Sequence, residues 1–239
     1  MKTVITMGAL AALAGTASAG VLASTSFENA FVGAQYVDTG DASMDHDLIN
    51  NAGQSDVDFL ADGVEMGYDA YYRNTRGSNG LTDGDFVGAT NFTGQVGAFT
   101  DGVQGYELSD ADGTMGLAFD TVSGANMALD MDIFVNESGW EADDSIHIWV
   151  EVDGGTTIDL LNTIGLDIDD LGIEAAWMTL SVDLSAYSSA TLYVELENNS
   201  GSENLYLDNV VFSGDAIPTP GALALLGLGG LAGSRRRRA

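Results

Sequence analysis

The chain predicts an all-β fold, an antiparallel β-sandwich, on three observations. Apolar and polar residues alternate with a period of two in several segments. Clusters of Gly, Asp, Asn and Ser separate those segments, in a chain of 239 residues with 31 glycines and only 2 prolines. Nothing between residues 20 and 214 sustains a 3.6-residue period over three turns. Short strands at regular spacing, without intervening helices, belong to antiparallel sandwiches rather than parallel sheets.

Taken in chain order, strands are expected at Ser24 to Ala30, Val64 to Arg73, Gly105 to Ser109 and Met115 to Val122. Leu129, Met131, Ile133 and Val135 then alternate with Asp130, Asp132 and Phe134. Ile146, Ile148, Val150 and Val152 alternate with His147, Trp149 and Glu151, and Asp153-Gly154-Gly155 turns the chain into Thr156 to Leu161. Asp167 to Ala175 has room for one short helix or a loop. Trp177 to Leu184 follows, then Leu192, Val194 and Leu196 alternating with Tyr193, Glu195 and Glu197, then Leu205 to Phe212. No fixed-period repeat is present.

The two ends differ from this body. Lys2, the apolar run Val4 to Ala14 and the small residues Ala17-Ser18-Ala19 follow the order of a secretory signal peptide, with cleavage expected after Ala19. At the other end Pro218-Thr219-Pro220 opens the charge-free run Gly221 to Gly233, and Arg235, Arg236, Arg237 and Arg238 close the chain. Residues 217–233 would span about 25 Å as a helix, short of a hydrocarbon core of about 30 Å. Terminal arginines favour the cytoplasmic side, which puts the body outside. The expected division is residues 1–19 signal peptide, 20–214 sandwich and 215–239 tail, the last with a short hydrophobic helix.

Residues 20–215 carry 36 acidic side chains against Arg73 and Arg76, a net charge of −34. Such a body repels phosphate backbones, so no nucleic-acid partner is expected. Its self-repulsion calls for salt screening or bound cations. There is no cysteine, so stability must come from core packing, with or without a metal.

Two resemblances follow from these residues. The proline motif, the run from Gly221 to Leu228 and the terminal arginines resemble the PEP-CTERM sorting signal, with Thr219 where that family has Glu. This implies an exosortase-type processing enzyme as partner, transient residence in the inner membrane, and delivery to the cell surface or extracellular matrix. Ser26-Phe27-Glu28 and Leu205-Tyr206-Leu207-Asp208-Asn209-Val210 resemble the first and last strands of jelly-roll carbohydrate-binding modules. That likeness implies a jelly-roll fold and a structural calcium joining the first strand to the last, with Glu28 and Asp208 as ligands. Asp45 and Asp47, with Asp38 and Asp41, cluster downstream of Glu28 and are candidates to complete its shell.

Other constellations are weaker. Asp83-Gly84-Asp85 and Asp110-Ala111-Asp112-Gly113 lack the full EF-hand pattern. With aliphatic residues inward, Trp149, Tyr193 and His147 fall on an outward face beside Glu151, Asp132 and Glu195, a candidate sugar platform. The competing expectation packs these rings under a loop; Trp140 and Trp177 flank loops. No G-x-S-x-G elbow, H-E-x-x-H motif or cysteine nucleophile is present, and no carboxylate pair stands out among 36 acids. The expectation is therefore a non-catalytic, exported protein that binds carbohydrate, such as an extracellular polysaccharide. The alternatives are a purely structural envelope protein and a secreted polysaccharide hydrolase.

Overall fold

The computed structural model describes residues 20–30, 32, 46–47, 57–73, 86–111 and 113–217. Within them the chain forms β1 (Gly20–Thr25), β2 (His46–Asp47), β3 (Tyr68–Arg73), β4 (Phe86–Thr90), β5 (Gly105–Ser109), β6 (Gly113–Phe119) and β7 (Val122–Ser123). There follow β8 (Ala125–Val135), β9 (Ser145–Val152), β10 (Thr156–Asn162), β11 (Trp177–Leu184), β12 (Ser189–Asn198) and β13 (Asn204–Asp215). One 3-10 turn, Ile168–Asp170, occupies the stretch where a short helix or loop was expected. Ala17, Ala19, Asp45, the Asp83 to Asp85 loop and everything from Pro218 to Ala239 lie outside the described residues.

Two antiparallel sheets face each other. The first has the order β11-β8-β13-β5-β4, with β1 also on β13; the second has β10-β9-β12-β6-β3-β2, with β7 on β12. The chain changes sheet at β1 to β2, β3 to β4, β5 to β6, β7 to β8, β8 to β9, β10 to β11, β11 to β12 and β12 to β13. That repeated crossing is jelly-roll-like and gives the expected all-β sandwich. First and last strands are neighbours, running antiparallel from Gly20 opposite Gly214 to Thr25 opposite Val210.

Alternation explains the core. In β9, Ile146, Ile148, Val150 and Val152 are fully buried while His147, Trp149 and Glu151 are half-exposed. β12 does the same with Leu192, Val194 and Leu196, and β8 supplies Leu129, Met131, Ile133 and Val135 from the facing sheet. The three-residue loop Asp153–Gly155 joins β9 to β10 opposite the Val152–Thr156 pair; Asp153 and Gly154 both have positive φ, 49° and 69°, in the turn closed by Gly155 N donating to Val152 O (3.3 Å).

Three departures from the sequence expectation have local causes. The first strand stops at Thr25 rather than Ala30, because Thr25 Oγ1 accepts the Phe27 N–H (3.0 Å) and Phe27 turns at φ 60°. The strand expected from Val64 begins at Tyr68, since Asp62 Oδ1 accepts the Val64 and Glu65 N–H groups (2.8 Å each) in a turn. Phe134, expected to point outward, does leave the main core. It is nevertheless buried with Val96, Phe99 and Tyr206 against Trp177, in a second small core that the 91–104 segment lays over the first sheet.

Candidate functional site

The outer face of the second sheet is built by register. One row across it runs Asp69, Ala118, Tyr193, Trp149 and Asp159. The adjacent row runs Tyr71, Gly116, Glu195 and His147. Trp149 and Tyr193 are directly opposed, and their rings are nearly parallel at 5.1 Å between centroids and 10°. His147 also stacks on Trp149, at 4.3 Å and 24°. The three residues expected on an outward face are therefore there, half-exposed, and they form one stack.

Polar groups flank the stack. His147 Nε2 is 2.8 Å from Asp159 Oδ1, which holds the Asp159 carboxyl below its usual range through that hydrogen bond. Tyr71 donates to Glu195 Oε1 at 2.6 Å, and Arg73 pairs with the same oxygen. Burial, with this bond, pushes the Tyr71 hydroxyl far up, so it stays protonated and a donor. The Tyr71 ring lies over Gly116, where any Cβ would meet it. Asp132, named beside this face from sequence, belongs instead to the first sheet, where it accepts from Thr179 Oγ1 (2.5 Å) and Asn209 Nδ2 (3.0 Å).

At the junction of first and last strands, Asp208 is fully buried. Its Oδ2 accepts from Thr100 N (2.7 Å), Asp101 N (2.9 Å) and Thr100 Oγ1 (3.0 Å), and its Oδ1 from Asn209 N (2.7 Å). Burial raises its pKa, against those hydrogen bonds. Glu28 Oε1 accepts from Val103 N (2.7 Å) and Gln104 N (2.9 Å). Both expected metal ligands thus grip the same 100–104 loop. Glu65, which sequence reading missed, accepts the N–H groups of Ser26 (3.1 Å), Glu28 (3.0 Å) and Asn29 (2.9 Å). Nothing local marks it, since its partners lie 36 to 39 positions away. A cavity of about 240 Å³ opens here, lined by Glu28, Glu65, Asp101 and Asn209 among others. Asn209 sits at φ 48° in the bulge where the β8–β13 register shifts, a conformation Asn tolerates.

For a calcium ion the fit is partial. Among the described residues, Glu28 Oε2 accepts no hydrogen bond and Asp208 Oδ1 accepts one, from Asn209 N. The backbone of Asp47 pairs with Tyr71 in β2, on the second sheet rather than beside β13. A different group does meet: Glu141, Asp144 and Glu203 bring carboxylate oxygens within 4.8 Å of one another, with Asp144 and Glu203 buried. Burial, then the charge of Asp144, pushes the Glu203 pKa up to about 8.

No family model matches the chain, and no curated protein matches it. Solved structures similar to it are β-domains. One is the module TmCBM61 in complex with β-1,4-galactotriose: 10% identity, 53% of this chain, 80% of that chain, TM-score 0.36. Another is the K3 cleaved adhesin domain of Lys-gingipain from Porphyromonas gingivalis: 14% identity, 82% and 99% covered, TM-score 0.36. A third is the family 11 carbohydrate-binding module from Clostridium thermocellum in complex with a β-1,3-1,4-mixed-linked tetrasaccharide: 14% identity, 72% and 96% covered, TM-score 0.33. At such scores these likenesses assign no function.

Proposed function

We propose that the body is a non-catalytic carbohydrate-binding domain of an exported protein, and that the outer face of the second sheet is its binding surface. The observation that carries this reading is the Tyr193–Trp149–His147 stack, standing half-exposed on a strand face between hydrogen-bonding groups. An apolar ring surface beside Asp69, Tyr71, Glu151 and Asp159 suits the apolar face and hydroxyl rim of a sugar. A glycan array probed with the purified chain and with Tyr193→Ala tests it. Binding that the variant loses supports the reading; equal binding by both, or none by either, rejects it.

Export, exosortase-type processing and surface display belong to the same proposal and rest on the two end signals. They are supported by the pairing of Gly20 with Gly214, which brings the end of the signal-like segment and the start of the tail to one edge of the sandwich. Mass spectrometry of the protein from cells tests this part. A chain beginning at Gly20 and ending near Pro220 is expected; one retaining Lys2 and Arg238 rejects it. Structural calcium at Glu28 and Asp208 is the third part, supported by the cavity beside them and by the charge of −34 on residues 20–215.

One observation favours a second reading, a structural envelope protein without a ligand. Tyr193 and His147 both stack on Trp149, so the stack also ties β12 to β9 without any sugar. The same array separates the two.

A further inference from the structure

Charge on the proposed binding face points to a narrower class of glycan. Asp69, Glu151, Asp159 and Glu195 stand on the outward positions of β3, β9, β10 and β12 among the described residues. Against them stand Arg73, paired with Glu195, and His147, hydrogen-bonded to Asp159. The face keeps a net negative charge after those pairings, and Asp69 and Asp159 are exposed. Beyond Tyr193 the row continues to the methyl group of Ala118 and then to Asp69. Tyr193 and Asp69 are two strand spacings apart, about 10 Å. An aromatic side chain and a carboxylate thus flank a single methyl group, with Tyr71 in the next row.

We infer that this face selects glycans bearing protonated amino groups, such as de-N-acetylated hexosamine units, over neutral and uronate glycans. The inference rests on the carbohydrate-binding reading above. A sugar ring packed on Tyr193 brings an amino substituent toward Asp69. The next units along the row lie toward Glu151 and Asp159. An ammonium gains from both the carboxylates and the ring quadrupole. An N-acetyl group gains neither, and a uronate is repelled by the same side chains.

Calorimetric titration of the full chain with glucosamine hexamer, N-acetylglucosamine hexamer and a galacturonate oligomer tests this at low and high salt. The amino hexamer should bind about tenfold or more tighter than the acetylated one at low salt, with the gap closing as salt screens the charges. The uronate should not bind. Asp69→Asn with Glu151→Gln should remove most of that gap by weakening the amino hexamer far more than the acetylated one, whereas Asp183→Asn on the other sheet should leave the gap intact. Equal affinity for the two hexamers, or uronate binding, overturns the inference while leaving carbohydrate binding in place. A gap that Asp183→Asn also reduces shows general attraction to an acidic body and overturns it too. Absence of binding by every oligomer rejects both readings.

Discussion

Glu28 and Asp208 hold opposite ends of one loop. Asp208 Oδ2 takes the N–H groups of Thr100 and Asp101, and Glu28 Oε1 takes those of Val103 and Gln104. These carboxylates are 180 residues apart in the chain and reach one loop because β1 lies on β13. The same loop continues into Phe99 and Val96, which cover Phe134 and Tyr206. Anchoring the loop therefore also seals the second core.

Removing either anchor should loosen this region. Asp208→Ala removes a fully buried acceptor from four part-buried hydrogen bonds, and a loss of about 1–3 kcal/mol is expected. Glu28→Ala, nearer solvent, should cost about 1–2 kcal/mol. Urea denaturation of each variant measures this, and unchanged midpoints would mean the loop is held by its apolar contacts alone.

Calcium, if it binds at this junction, should raise the melting temperature. At one hundred times the dissociation constant the gain is about 2.7 kcal/mol. The comparison is a melt in calcium against a melt in chelator at constant ionic strength, repeated with Asp208→Asn. A shift that the variant abolishes is expected; no shift in the parent chain removes calcium from the account.

Gly102 should not tolerate a side chain. Its φ is +74°, and an added Cβ would run into the Glu28 carboxylate. Gly102→Ala should destabilise by about 1–3 kcal/mol. Gly155→Ala, where a Cβ meets nothing and φ is ordinary, is the control and should be near neutral.

The Glu141–Asp144–Glu203 group makes a signed prediction with pH. Burial and the charge of Asp144 raise the folded-state pKa of Glu203 to about 8, above its ordinary 4.5. The protonated form is favoured by folding, so this contribution to stability is present below about pH 4.5 and lost as pH rises through about 8. Glu203→Gln keeps the shape without the charge. In chelator it should stabilise by about 1–2 kcal/mol at pH 8.5 and by much less at pH 5. Denaturation midpoints at both values measure it, and a loss of stability at pH 8.5 would contradict this reading of the cluster.

Much of the fold was legible because burial follows sequence spacing. β9 alternates strictly and β12 does so apart from the buried Glu195, so their outward residues were readable in advance, although β12 runs from Ser189 to Asn198, beyond the Leu192 to Glu197 stretch expected. β4 was not, because Phe86–Thr90 is covered on nearly every residue and shows no alternation. Trp149, Tyr193 and His147 followed from the same periodicity. Their mutual stacking did not, because it depends on the register between β9 and β12. The Glu141–Asp144–Glu203 group was invisible, since Glu203 comes from the loop before β13 and nothing local separates it from 35 other acids. Glu65 was missed for the same reason, its role being set by the return of the chain past Glu28.

The most direct test of the central claim is binding of a sugar oligomer panel to the purified chain, measured beside Tyr193→Ala with folding of both checked by their melting curves. The Tyr193–Trp149 pair contributes about 0.2–1 kcal/mol to the sheet, so the variant should remain folded. Saturable binding by the parent chain, lost in Tyr193→Ala, is the predicted result. Binding of equal strength by the two folded proteins, or no binding by the parent to any oligomer, would contradict it.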